Sequence, residues 1–190
     1  MVIKVGILAL QGNYAQHNIM LNTLGAKSIY VSYPEDLNKC DALIIPGGES
    51  TSMSIQIDRN RFRKAIKIFS KNKSIFGFCA GMILLSSENQ STNMKPLEIM
   101  DFSIFRNAWG RQCNSFCDKL RLEFDTKSDF KGVFIRAPKI SRIGVNIKVL
   151  ATYDKEPVMI TNGKHYACSF HPEIGTDNRI HSYYLKQINA

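Results

Sequence analysis

The chain has 190 residues, 44% of them hydrophobic, and carries 25 Lys and Arg against 16 Asp and Glu for a formal net charge of +9; that is enough apolar content for one full core and excludes a disordered chain. The apolar start, Met1 to Leu10, is too short to span a bilayer and lacks the basic opening and small-residue cleavage site of a signal peptide, so a cytoplasmic protein without membrane contact is expected. The five cysteines are odd in number and scattered, which excludes a disulfide framework; Cys113 and Cys117 have no second pair or histidine cluster to complete a metal site, so no metal is expected.

In chain order, Ile3 to Leu10 reads as a buried first strand that ends at Gln11-Gly12. Asn13 is placed to cap a helix carrying Ile19, Met20 and Leu24 inward, which Gly25 stops. Ile29 to Val31 is a second strand, Pro34 to Asn38 a loop, and Ala42-Leu43-Ile44-Ile45 a continuous apolar run, as in a strand covered on both faces. Pro46-Gly47-Gly48 ends that run. A helix from about Arg61 to Ser70 turns Phe62, Ala65, Ile66 and Phe69 to one side. Arg59, Arg61, Arg63, Lys64, Lys67, Lys71 and Lys73 crowd the other side, a solvated face rather than a nucleic-acid surface, since no binding motif accompanies it. Ser74 to Phe78 is a fourth strand. Strands alternating with helices at this spacing predict a doubly wound, mostly parallel sheet whose ligands sit beyond the carboxyl ends of its strands. Gln11, Gly47, Gly48 and Cys79 all follow strand ends, so one rim should hold them together.

A helix runs to about Ser86, and Glu88 to Lys95 reads as a surface loop. Strands then follow one another: Ile99 to Phe105, Leu120 to Phe124, Val133 to Ile135 and Val149 to Tyr153. The pair Val158 to Thr161 and Lys164 to Phe170 is joined by Asn162-Gly163, a strong hairpin signal. A last helix, Arg179 to Ile188, has Ile180, Tyr184 and Ile188 as its inward stripe. Without repeats or linkers, residues 1–190 form a single mixed α/β domain.

Chemistry points to Gly77-Phe78-Cys79-Ala80-Gly81. This G-x-C-x-G frame is the thiol counterpart of the nucleophile elbow, in which a sharp strand-to-helix turn lifts the reactive atom clear of the sheet. A nucleophilic thiol needs an imidazole to carry its proton, and the imidazole needs a carboxylate to fix its tautomer. His171 and Glu173 are two apart, a spacing that in an extended segment turns both side chains to one side, and Pro172 favours that conformation for His171. His17, His165 and His181 fall on amphipathic helices or within the hairpin and read as structural. Gly47-Gly48 offers bare backbone N–H groups; that of Gly48 pairs with that of Ala80 as a candidate oxyanion hole.

These residues belong to a wider set: Leu10-Gln11-Gly12, Pro46-Gly47-Gly48-Glu49-Ser50-Thr51, Cys79-Ala80-Gly81, Arg106-Asn107 with Gly110-Arg111-Gln112 and Ser115-Phe116, Ile135-Arg136-Ala137-Pro138, and Ser169-Phe170-His171-Pro172-Glu173. In this order, across the whole chain, the set resembles the glutaminase subunits of pyridoxal 5′-phosphate synthase, a family of class I (triad) glutamine amidotransferases. The resemblance implies Cys79 as nucleophile, His171 as base and Glu173 as its orienting acid. It implies that Gly47, Gly48, Glu49, Arg106, Ile135 and Arg136 hold L-glutamine and that Gln11 lies toward the partner. It also implies no cofactor, and delivery of ammonia to a synthase subunit within a large hetero-oligomer. Two positions depart from the pattern: Phe78 stands where a small residue is usual, leaving open the pocket's shape or the packing behind the elbow, and Trp109 replaces Phe or Tyr. Three other readings stay open: a glutaminase feeding another synthase, of the imidazole glycerol phosphate type; a non-catalytic cysteine-elbow redox module; and a stand-alone peptidase or γ-glutamyl hydrolase.

Overall fold

The computed structural model describes residues 3–89, 94–105 and 115–188. Its first half alternates as expected: β1 (Lys4–Leu8), α1 (Tyr14–Thr23), β2 (Lys27–Val31), a 3-10 helix (Pro34–Lys39), β3 (Ala42–Ile45), α2 (Ser50–Arg59), α3 (Phe62–Asn72), β4 (Ser74–Phe78) and α4 (Ala80–Leu85). The second half is strand-rich: β5 (Glu88–Asn89), β6 (Phe102–Phe105), β7 (Ser115–Leu122), β8 (Asp125–Ile135), β9 (Lys139–Ile143), β10 (Lys148–Tyr153), β11 (Glu156–Thr161) and β12 (Tyr166–Cys168). A 3-10 turn (Pro172–Ile174) and α5 (Arg179–Ile188) follow.

Among the described residues the main sheet has nine strands, in the order β2-β1-β3-β4-β12-β11-β10-β7-β8. The pairs from β2 through β12 are parallel, and those from β12 to β8 antiparallel. β5, β6 and β9 make a small separate sheet. The inner strands of the parallel half have both faces covered, while the edge strand β2 is only partly buried. In β3, Leu43 and Ile45 pack with Met53, Ile57, Phe62 and Ile66 of α2 and α3, while Ala42 and Ile44 pack with Leu21 of α1 and Ile180 and Tyr184 of α5. This two-sided burial is why β3 reads as an unbroken apolar run. Among the described residues no helix is long and apolar enough to cross a membrane.

Several local expectations need correction. The helix expected from Arg61 to Ser70 is preceded by a second one, α2. Arg61, at a left-handed φ of 60°, makes the joint between them. Pro34 to Asn38 is a 3-10 helix, with Pro34 supplying the fixed φ of its first position. Ile19 is 55% exposed and Leu21 takes its inward place. The Asn13 side chain does not cap α1. The strand expected from Ile99 starts at Phe102, and that of the hairpin's second arm is only Tyr166–Cys168. β8 runs eight residues ahead of the expected Val133 start, and β9 was not expected at all. Part of the expected 88–95 loop is β5.

Candidate active site

β4 and α4 meet at Cys79, whose backbone is held at φ 48° and ψ −101°. A non-glycine residue there stores on the order of 1–3 kcal/mol of strain, which the surroundings must enforce. They do so by bonds on both sides: the Cys79 N–H donates to the Cys168 carbonyl at 2.8 Å, and the Cys79 carbonyl accepts from Ile83 at 3.1 Å. The flanking glycines permit the tight turn. A Cβ on Gly81 would lie 2.1 Å from the Ile45 carbonyl oxygen, and one on Gly77 would lie 2.5 Å from that of Gly81. The Ala80 N–H falls in the first helical turn, where no intrahelical acceptor exists.

His171 arrives from the far side of the hairpin. Strand β12 lies beside β4, and the His171 N–H donates to the Val133 carbonyl of β8 at 2.8 Å. The segment is not extended as the spacing suggested. His171 leads into the Pro172–Ile174 3-10 turn, with the Ile174 N–H directed to the His171 carbonyl. That turn brings residues two apart face to face: His171 Nδ1 donates to Glu173 Oε1 at 2.7 Å. The proton on Nδ1 leaves Nε2 as the ring's other working atom. Asn13 spends its side chain here, its Nδ2 reaching Glu173 Oε1 at 3.5 Å.

The electrostatics follow from burial and pairing. Burial opposes charge on His171, but its bonds with Cys79 and Glu173 outweigh this and push its pKa up from 6.5 to about 10. Burial likewise opposes charge on Glu173, and the hydrogen bond from His171 overrides it, lowering that carboxyl from 4.5 to about 2. The two therefore stand as imidazolium and carboxylate at neutral pH. Cys79 and His171 are each only 6% exposed, yet both border a cleft of about 620 Å³.

That cleft collects most of the residues singled out in the sequence. Gly47, Gly48, Glu49, Ala80, Ile135 and Arg136 line it alongside Cys79 and His171. Ile135 brings its carbonyl oxygen to 3.8 Å from Cys79 Sγ, and Arg136 turns the chain at φ 45°. Glu49 lines the rim, but its carboxylate also caps α2, accepting from the N–H groups of Thr51 at 3.0 Å and Ser52 at 2.6 Å. The Gly47 carbonyl accepts from the Asn13 N–H at 3.3 Å. In a trans peptide this sends the Gly48 N–H to the opposite side. Gln11 does not line the cleft; its Oε1 is buried with no hydrogen-bond partner among the described residues. Arg106 lies outside the described residues, as do Trp109 and Cys113.

Sequence reasoning missed Asn13, Ser50, Ile83 and Ser115 as lining residues. The Asn13 signal was available, since it follows Gln11-Gly12 on the same rim. Phe78 bears on the packing behind the elbow and not on the cleft: its ring is fully buried against Phe76 of the same strand, 4.0 Å between centroids, and is not among the residues lining the cleft.

Residues 7–190 match the SNO glutamine amidotransferase family. Among similar proteins is the pyridoxal 5′-phosphate synthase subunit PdxT of Oenococcus oeni, 42% identical over 98% of this chain and 97% of that one. The PdxT of Brevibacillus brevis is 43% identical over 97% of each chain. A solved structure described as a glutamine amidotransferase superposes with a TM-score of 0.91 at 37% identity, covering 98% of this chain and 99% of the other. A strained cysteine elbow, a buried imidazole–carboxylate pair and a common cleft thus occur in a chain that belongs to the SNO glutamine amidotransferase family.

Proposed function

We propose that the chain is the glutaminase subunit of a pyridoxal 5′-phosphate synthase, hydrolysing L-glutamine to L-glutamate and passing the ammonia to a synthase subunit. The family match and the name shared by relatives at 42% and 43% identity favour this over an ammonia donor to another synthase. The observation that carries the chemistry is the 2.7 Å pairing of His171 with Glu173, beside a cysteine held in an elbow at the cleft.

In this mechanism Cys79 sulfur, its proton held by His171, attacks the side-chain carbonyl carbon of glutamine. The N–H groups of Gly48 and Ala80 hold the oxyanion. His171 gives its proton to the departing nitrogen, the C–N bond breaks, and ammonia leaves a glutamyl thioester on Cys79. A water that loses its proton to His171 then attacks the thioester; the carbon–sulfur bond breaks, glutamate leaves and gives its acid proton to solvent, and the sulfur is restored with its proton on His171. Glu173 keeps Nδ1 protonated throughout, so Nε2 alone exchanges protons. Gly47, Gly48, Glu49, Arg106, Ile135 and Arg136 hold the glutamine, and Gln11 faces the synthase subunit in a large hetero-oligomer. These steps draw every proton and electron pair from side chains, glutamine and water, and call for no cofactor.

The test is glutamate release, measured with and without the synthase subunit. Release should be weak alone, strong in the complex, and abolished in both by Cys79→Ala. Full turnover by Cys79→Ala would overturn the mechanism, and failure to co-purify with the synthase subunit would overturn the partner.

A further inference from the structure

Behind Glu173 lie two imidazoles that the steps above do not use. His17 on α1 and His181 on α5 are fully buried, and Nδ1 of His17 is 3.0 Å from Nε2 of His181. The Phe78 ring covers both, with centroids 4.4 Å and 5.5 Å away. The remaining nitrogen of His17, Nε2, lies 3.8 Å from Glu173 Oε2. His171 and the Asn13 amide engage the other carboxylate oxygen. Glu173 Oε2, His17 Nε2 and His181 Nδ1 are all buried without a hydrogen-bond partner among the described residues.

The direction of this chain can be worked out. Burial pulls His17 down from 6.5 to about 4 and His181 to about 3, so each ring is neutral and carries one N–H. If His17 donated from Nδ1, its Nε2 lone pair would face the carboxylate, and His181 would keep its proton on Nδ1 as a buried donor without an acceptor. If His181 donates from Nε2, His17 carries its proton on Nε2, aimed at Glu173, and the only ring nitrogen left bare is the acceptor Nδ1 of His181. The second arrangement replaces a repulsion with an attraction: its one N–H without a hydrogen bond, on His17 Nε2, faces a carboxylate oxygen, whereas the first leaves the His181 N–H with no acceptor among the described residues.

We propose that His17, held in register by His181, is a positioning residue: its Nε2–H fixes the Glu173 carboxylate and, through it, the His171 ring against Cys79. The proposal rests on the reading of those three as catalytic. At 3.8 Å the contact is longer than a hydrogen bond. It acts as a charge–dipole attraction between two side chains closed off from bulk solvent, where such attractions are strong. A movement of about 1 Å would close it to bonding distance, as catalytic contacts often do once substrate is bound.

The experiment compares the full chain in complex with its synthase subunit as wild type, His17→Leu, His17→Gln and Cys79→Ala. His17→Leu should lower kcat on the order of tenfold, the size of one hydrogen bond to a charged group, with KM changed less than about twofold. His17→Gln, which keeps an N–H at similar reach, should recover most of that loss. Nitrogen-15 NMR of labelled histidines should show both His17 and His181 as neutral Nε2–H tautomers near neutral pH. An Nδ1–H tautomer for His17, or a folded His17→Leu with wild-type kcat, would overturn the proposal; should His17→Leu fail to fold, His17→Gln and the tautomer decide. Failure of the functional reading looks different, because wild-type release would then be no greater than that of Cys79→Ala.

Discussion

The ring of His171 lies directly against the α-carbon of Gly47: a side chain begun there would meet Cε1 at 2.5 Å and Nδ1 at 3.2 Å. The loop after β3 and the turn after β12 therefore fix one another, and the glycine serves the imidazole's position as well as the backbone. Gly47→Ala should force the ring away from Glu173 or from Cys79. A displacement of about 1 Å in a catalytic group costs on the order of 10²-fold. Glutamate release should fall by that order while the melting temperature moves little, because the yielding atoms are at the edge of a cleft. Unchanged activity would mean that the ring relaxes without leaving its working position.

Glu49 separates a structural role from a binding one. Its carboxylate bonds the Thr51 and Ser52 N–H groups at the start of α2, so Glu49→Ala removes an N-cap. The loss should be about 1 kcal/mol, or about 2–4 °C in melting temperature for a chain of this size. Glu49→Gln keeps an acceptor oxygen and should melt closer to wild type. If instead both variants melt as wild type while KM for glutamine rises, the carboxylate is committed to substrate and the cap is incidental.

What could be read in advance depended on which side of each element is covered. Strands buried on both faces, such as Ala42–Ile45, announce themselves as apolar runs. Helix α2 was hidden because Ser50 and Ser54 point inward while Ile55 is 47% exposed, which blurs the apolar period. Strand β8 was seen only at its end. Lys127, Asp129 and Lys131 are on its exposed face, and Phe130 is the one large side chain buried ahead of Val133. Cys79, His171 and Glu173 were legible as residue types at telling spacings. The contacts of Asn13 and His17 with Glu173 were not, because they join positions about 160 residues apart that only the folded chain brings together.

Three buried histidines should make the protein acid-sensitive well above the carboxylate range. Burial lowers His17 to about 4, His165 to about 4 and His181 to about 3, from 6.5 in the unfolded chain. His165 Nδ1 also accepts the Ile75 N–H at 3.2 Å, a bond that protonation would break. His17 and His181 face each other, Glu173 and the Phe78 ring. Below 6.5 the unfolded state takes up protons that the folded state refuses, so stability falls as pH drops. The slope is up to about 1.4 kcal/mol per pH unit for each histidine. Urea midpoints at pH 7, 6 and 5 should decline accordingly, and a His17→Gln, His181→Gln double variant should flatten the decline. A constant midpoint across that window would show that these rings are already charged or are exposed to water.

The opposite sign applies to His171. Its pKa is raised to about 10 in the folded chain, so its stabilising contribution is complete below 6.5 and fades as the pH rises through about 10. Between pH 7 and 9.5 a Cys79→Ala chain should lose stability relative to the same chain carrying His171→Gln, because its fold keeps, beside Glu173, an imidazole proton that its unfolded chain has released. Taking the difference between the two proteins cancels the lysines, tyrosines and other thiols, which titrate in both, and replacing Cys79 in both removes the one thiol coupled to His171. Pulse-proteolysis or urea midpoints measured on the pair would read the difference directly. Parallel pH profiles would mean that His171 is neutral at pH 7, and the proton required by the departing ammonia would then have to be acquired after glutamine binds.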